Sequence, residues 1–149
     1  MIIRKAEVFD LPGVHEMMES FQDEGLNEYT LGHNRESAGV AAELFIREHL
    51  GVVAVQDDIV IGCLGGCVTP FMMNSGSIVF QEILWYVTKE KRSTGVGIKM
   101  LFKVMKLAKE QGATHMVLAH TGKVLPEKLS KLYGKLGFEV LETQYIKGL

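Results

Sequence analysis

The chain has 149 residues, 47% of them hydrophobic and 23% charged, which is the size and balance of one ordinary globular domain rather than a fibrous or disordered protein. A formal net charge of −2 provides no basic field for a polyanion, so nucleic acid is not an expected partner. Cys63 and Cys67, the only cysteines, both fall in the apolar run VIGCLGGCV and read as small buried thiols in a reducing compartment, not as a disulfide framework.

The opening MIIRKAEVFD carries charge by position 4, and no stretch reaches the roughly 18 apolar residues a bilayer span requires. The expectation is a cytoplasmic chain with neither secretory signal nor membrane contact, forming a single domain over 1–149. Ile2, Ile3, Ala6 and Val8 suggest a first strand, and Asp10-Leu11-Pro12 supplies an N-cap followed by a proline that the first helical turn tolerates. Leu11, Val14, Met17, Met18 and Phe21 recur at helical spacing, with acidic residues on the other face. The segment DEGLNEYTLGHNRES lacks a period and is expected as loop. Ala38, Ala41, Ala42, Phe45 and Ile46 then predict a second helix ending near Leu50-Gly51.

Two β-branched runs follow, separated by Gln56-Asp57-Asp58, whose acidic pair is hairpin-turn chemistry; SIVFQEILWYV (77–87) makes a third strand after the connection PFMMNSG. From Gly95 to Gln111, Ile98, Leu101, Phe102, Met105 and Ala108 line one helical face, and Gly112 caps the end. HMVLAH (115–120) is a short buried strand. Pro126 opens a last helix with Leu129, Leu132 and Leu136 on one face, Gly137 stops it, and FEVLE returns as a strand. The order is β-α-α-β-β-β-α-β-α-β, an α+β domain with a mixed, mostly antiparallel sheet flanked by helices.

Residues 92–97, Arg-Ser-Thr-Gly-Val-Gly, join a strand to the first turn of a helix, where amide N–H groups lack internal partners and the dipole is positive. Gly95 and Gly97 allow close backbone approach, Ser93 and Thr94 offer hydroxyls, and Arg92 adds charge, so the turn suits a phosphate or pyrophosphate. A plain turn whose glycines serve only geometry remains the alternative. Walker A fails for want of its GK[ST] ending, and the dinucleotide fingerprint fails because Met100 stands where a third glycine is needed.

The pattern Arg-x-x-Gly-x-Gly at a helix start, with a hydrophobic strand ending in Val87 before it and LYGKLGF (132–138) some forty residues on, resembles the GNAT family of N-acetyltransferases. The opening IRKAEVFDLPGV is similar to that family's first strand and helix, and the element order agrees with its fold. The resemblance implies that Arg92, Ser93, Thr94, Gly95, Val96 and Gly97 wrap the pyrophosphate of acetyl-coenzyme A. Its pantetheine arm would pair with backbone groups of Trp85, Tyr86 and Val87, where family members bend the strand away from the next one. The N–H near Val87 would polarise the thioester carbonyl. Where relatives carry an asparagine and an alanine ahead of the tyrosine, this chain has Pro126 and Leu129, so no asparagine is available there for the arm.

Tyr133 stands where the family places a tyrosine that protonates the departing thiolate, a step uphill by about 2 kcal/mol at ordinary pKa values of about 10 and 8.5. Packing of the last helix against the sheet is its alternative role. An amine acceptor of lysine type is mostly protonated at neutral pH, and Glu82, in FQEILWYV, resembles the family's strand glutamate that serves as general base. By alternation Glu82 shares a face with Phe80 and Leu84, apolar surroundings that raise a carboxyl pKa; an edge-facing or salt-bridged glutamate is the alternative.

His115 and His120 read as satisfied or solvent-facing residues, and Cys63 and Cys67, though on one face, as core, so no metal site is expected. Glu16, Glu19, Asp23, Glu24 and Glu28 read as a solvated acidic face that also attracts a cationic acceptor, with 26–34 the segment for specificity. The implied activity is transfer of an acetyl group from acetyl-coenzyme A, without a metal, to the primary amine of a small molecule or peptide by direct attack. A silent acyl-coenzyme A-binding module and an unrelated phosphate-binding domain are the alternatives. A homodimer stays open, and the sequence identifies neither acceptor nor acyl-chain preference.

Overall fold

The computed structural model describes all 149 residues. Five strands form one sheet in the order β1-β2-β3-β4-β5: β1 (Ile2–Lys5), β2 (Leu50–Gln56), β3 (Ile59–Phe71), β4 (Asn74–Val87) and β5 (His115–Val117). All neighbours are antiparallel except β4 and β5, which run parallel over Val79–Gln81 and His115–Val117. Four helices cover the sheet: α1 (Leu11–Phe21), α2 (Arg35–Arg47), α3 (Val96–Glu110) and α4 (Pro126–Lys135).

Alternation along the strands sends apolar residues to both faces, and each face has its own core. On one side Val52, Leu64 and Phe80 pack with Val96, Met100, Leu101 and Val104 of α3. On the other, Val53, Cys63, Leu84 and Tyr86 meet Val14 and Met17 of α1 and Ala42 and Phe45 of α2. The stripe expected for α1 faces the core, with Val14 and Met17 buried and Leu11, Met18 and Phe21 packed beside them. The stripe expected for α3 is corrected: Leu101 and Ala108 are buried, but Ile98 and Phe102 are exposed, and the sheet takes the neighbouring face carrying Val96, Met100 and Val104, which repeat every four residues. Between β2 and β3, Asp57 and Asp58 hold φ of 53° and 61°, the paired left-handed conformation of a two-residue hairpin turn.

Several boundaries differ from expectation. Asp10 precedes α1, but its carboxylate turns back to bind Arg4 Nη1 and Nη2 at 2.6 and 2.8 Å and the Glu7 amide at 2.8 Å, instead of capping the helix. The segment expected as loop contains a wide helical turn, Gln22–Leu26, and α2 begins at Arg35 because Asn34 Oδ1 accepts from the Ser37 amide at 2.8 Å. Leu50-Gly51 starts β2 rather than capping α2, and β3 and β4 extend until only Met72 and Met73 separate paired residues near their turn.

The strand expected at FEVLE does not form. Gly137 (φ 84°) ends α4 and Phe138 packs beside the Tyr133 ring, but Val140 and Leu141 are exposed and pair with nothing. The only free sheet edge there is β5, three residues long, and so short an edge offers too few backbone bonds to order a further strand. No helix is long and apolar enough to cross a membrane.

Candidate active site

Two local irregularities open the site. Opposite Gly65 and Gly66, strand β4 carries one residue too many: Leu84 faces Gly65, Glu82 faces Gly66, and Ile83 bulges between them. A Cβ on Gly66 would lie 2.7 Å from the Gln81 carbonyl carbon and 2.8 Å from Glu82 Cα, so only glycine permits this approach. The bulge reverses the alternation beyond it. Leu84 therefore belongs to the α1/α2 core while Phe80 belongs to the α3 core, which corrects the expectation that Glu82 shares a face with both.

The second irregularity is the parting of β4 from β5, whose pairing ends at Gln81 and Val117. Two residues further on, the Ala119 amide finds no strand backbone and donates instead to Glu82 Oε2 at 2.8 Å. The Tyr133 hydroxyl donates to the Ala119 carbonyl at 2.7 Å, so Glu82 and Tyr133 hold opposite sides of one residue in the gap. Burial pushes the Glu82 carboxyl up to about 7 against the opposing pull of the Ala119 amide. Burial, with Glu82 nearby, also raises the Tyr133 phenol above its ordinary value of 10. Its ring lies among Trp85 (6.2 Å between centroids), Phe138 (5.8 Å) and His120, which stacks on it at 6.2 Å. The stacking gives His120 a structural place that its sequence context did not suggest.

Past the bulge, the end of β4 has one edge on β3 and one edge on the gap. Thr88 N–H bonds Ile61 on the β3 side. The Val87 carbonyl points the other way and accepts from Arg92 Nε at 2.9 Å, and a strand residue turns its N–H and C=O to the same edge. The N–H groups of Val87 and Trp85 thus face the gap, where β5 is absent.

The turn after β4 leads into α3 through Gly95, whose φ of 78° is left-handed and leaves open space where a Cβ would stand. Thr94 N–H is taken by the Lys91 carbonyl at 3.2 Å, and the Thr94 hydroxyl donates to the same oxygen at 2.7 Å. The amides of Ser93, Gly95, Val96, Gly97 and Ile98 donate to no protein acceptor. Gly97 lies against the Trp85 indole. Ser93, Gly95, Gly97 and Ile98 border a cavity of about 530 Å³ whose wall also includes Trp85, Val87 and Arg92, faced across the space by α4 and the chain leading into it.

Arg92 is placed differently from the loop amides. Its two terminal nitrogens grip both oxygens of Glu24, at 2.5 and 2.7 Å, and its guanidinium lies 5.1 Å over the Tyr86 ring; the Tyr86 hydroxyl donates to Glu24 at 3.1 Å. The bound arginine holds the Glu24 carboxyl below its usual range. Glu24 is thus not part of a solvated face: it ties the turn after α1 to the turn before α3. Glu28 is likewise paired, with Lys123 at 2.6 Å. Among the expected site residues, Trp85, Tyr86, Val87, Arg92, Ser93, Gly95 and Gly97 line the cavity, Thr94 bonds back into its own turn, Val96 turns its side chain into the core, and Glu82 and Tyr133 meet at Ala119. Cys63 is sealed in the core, its thiol pushed up by burial, and Cys67 touches His49 at 3.4 Å. No group of three or more His, Cys, Asp or Glu side chains is arranged to hold a metal ion.

Missing from the sequence reading were Lys128, Lys131 and Lys135, which line the cavity from α4. Their i, i+3, i+7 spacing was the available signal, since it sets all three on one side of a helix.

Residues 14–138 match the model of the acetyltransferase (GNAT) family. Among curated proteins, none matches the chain in sequence. A probable acetyltransferase of known structure superposes with a TM-score of 0.77 at 21% identity, covering 100% of this chain and 98% of that one. The aminoglycoside N-acetyltransferase AAC(6')-Iy, solved with a bisubstrate analogue of coenzyme A, superposes at 0.75 with 18% identity over 99% and 97% of the two chains. A ribosomal-protein-alanine N-acetyltransferase from Brucella melitensis biovar Abortus 2308 superposes at 0.73 with 17% identity over 99% and 98%. These structures share the overall fold of the chain, and the match over residues 14–138 establishes that the chain belongs to the acetyltransferase (GNAT) family.

Proposed function

We propose that this protein transfers the acetyl group of acetyl-coenzyme A to a primary amine by direct attack. The observation that carries the reading is the set of five amides at residues 93 and 95–98 that donate to nothing in the protein, four of them on residues that line a cavity also walled by Trp85 and Val87 of β4. Unpaired donors at a helix N-terminus suit a diphosphate. The edge of β4 at Trp85 and Val87 suits an amide-bearing arm that takes the place of the missing strand.

In this arrangement the acceptor nitrogen attacks the thioester carbonyl carbon, the N–C bond forms, and the C–S bond breaks. Glu82, held near a pKa of about 7, takes the proton the amine must shed, and the gap-facing Val87 N–H steadies the carbonyl oxygen as it gains charge. Tyr133 faces the leaving sulfur. Because its phenol is raised above 10, full proton transfer to a thiolate is more uphill than the roughly 2 kcal/mol of the unperturbed pair, and hydrogen-bond donation is the role its environment favours. For that donation the hydroxyl leaves the Ala119 carbonyl.

The neighbours in fold act, by their names, on an aminoglycoside and on a ribosomal-protein alanine, so their acceptors are amines of unlike size. The test is release of free thiol from acetyl-coenzyme A by the purified protein across a panel of aminoglycosides, polyamines and peptides. Thiol release with one amine class supports the reading. Tight coenzyme A binding with no release across the panel turns it into a silent binding module, and no binding at all removes it. Gly95→Trp, which fills the open space above the turn, should abolish coenzyme A binding.

A further inference from the structure

The cavity has a polarity that the family motif does not explain. Its charged lining residues are Arg92, Lys128, Lys131 and Lys135, and none of its lining residues is a carboxylate, although the chain as a whole is slightly acidic. Arg92 contributes little of that charge to a ligand, because Glu24 and the Val87 carbonyl take all three of its nitrogens. The three lysines of α4 form no ion pair with any acidic side chain and no hydrogen bond within the protein, whereas Lys89, Lys106 and Lys123 each have a carboxylate partner.

Their position on α4 is ordered by depth. Leu129 and Leu132 are half-buried and form the inner wall, while Lys128, Lys131 and Lys135 are exposed along the same wall at its solvent side. Spaced i, i+3 and i+7, the lysines span about 10 Å of helix within a narrow arc. Three unpaired ammonium groups in a row at the rim of an apolar cleft form an anion site separate from the amide turn on the opposite wall. Acetyl-coenzyme A carries two anionic groups of this kind: the diphosphate between its arm and its nucleoside, and a phosphate on the 3′ hydroxyl at its outer end.

We infer that Lys128, Lys131 and Lys135 of α4 form a second anion subsite, which takes the 3′-phosphate of the coenzyme while the turn at 93–98 takes the diphosphate. The inference rests on the acetyltransferase reading and assigns the electrostatic selection of the coenzyme to α4 rather than to Arg92. Each exposed ammonium–phosphate contact is worth a few-fold in affinity, and the three together about tenfold.

Isothermal titration of the full chain with coenzyme A and with 3′-dephospho-coenzyme A, for wild type and for the Lys128→Ala, Lys131→Ala, Lys135→Ala triple variant, separates the terms. The wild type should bind coenzyme A about tenfold more tightly than the dephospho form, and the triple variant should bind the two within about twofold of each other. Raising the salt from low to about 0.5 M should shrink the wild-type preference and leave the variant unmoved. A preference of the same size in both proteins overturns the subsite and leaves the acetyltransferase reading intact. A wild type that binds neither ligand overturns both. If circular dichroism shows the triple variant unfolded, Lys131→Gln alone should lose part of the preference, and a preference unchanged in that variant also overturns the subsite.

Discussion

Replacing Glu82 by glutamine should separate the chemistry of the gap from its stability, with opposite signs. Glutamine keeps an oxygen for the Ala119 amide and nearly the same volume, so the change is chiefly the loss of a titrating group. The Glu82 carboxyl has an ordinary value of 4.5 and is held at about 7 in the folded protein. Between those values the native state retains a proton that the unfolded chain has already released, so stability falls as pH rises through this window. At about pH 5 the penalty is under about 1 kcal/mol, because the unfolded chain has only begun to gain from ionising. At about pH 8 it approaches 3 kcal/mol, so the difference between the two conditions is at most about 2.5 kcal/mol. Glu82 is only partly buried, and solvent in the gap reduces this, so a range of about 1 to 2.5 kcal/mol is expected. Urea unfolding of both proteins at the two pH values, at fixed ionic strength, measures it: Glu82→Gln should gain on wild type by that amount from the lower pH to the higher. In the same variant kcat/KM should fall by about 10² to 10⁴, and the acidic limb near pH 7 in the wild-type profile should vanish. A stability gap that does not change with pH, or an acidic limb that survives the substitution, refutes the assignment of a proton-accepting carboxyl at this position.

Tyr133→Phe should lower kcat by about tenfold or more with KM for acetyl-coenzyme A changed by less than about threefold, and steady-state kinetics with the best amine decides it. Since the Tyr133 phenol is raised above 10, it stays protonated through the neutral range, and no alkaline loss of activity below about pH 10 should trace to it. Gly66→Ala drives a Cβ against the Gln81 carbonyl and Glu82 Cα, and should cost about 2 kcal/mol or more by denaturant unfolding while also displacing the base. Asp58→Gly, at a φ of 61° in the hairpin turn, should raise stability by about 0.5 to 1 kcal/mol and leave activity unchanged.

What the sequence disclosed follows the range of the interactions involved. The stripe of α1, the Asp57-Asp58 turn and the glycines that close α3 and α4 are local signals, and each lies where its period or dihedral preference puts it. Helix α3 is apolar on two adjoining faces, and only its packing on the sheet selects Val96, Met100 and Val104 over Ile98 and Phe102. The Ile83 bulge carries no signature of its own. It follows from how far Gly66 lets β3 approach β4, and it sends Leu84 to the face that strict alternation denies it. Glu24 and Arg92 lie 68 residues apart, and a glutamate on a polar helix face looks the same whether water or a distant guanidinium satisfies it. The lysines of α4 were hidden for the same reason: periodicity shows that they share a side of the helix but not that a cavity lies beside it. FEVLE has the alternation of a strand and lacks an edge long enough to pair with.

The central claim is that the free amides of the turn before α3 receive the diphosphate of the coenzyme. Amide proton–nitrogen correlation spectra of the labelled protein, titrated with acetyl-coenzyme A, address each donor by itself. The largest shifts should fall on Ser93, Gly95, Val96, Gly97 and Ile98, with Thr94, already bonded to the Lys91 carbonyl, moving less. Saturable binding that leaves those five signals in place and perturbs another part of the chain contradicts the account.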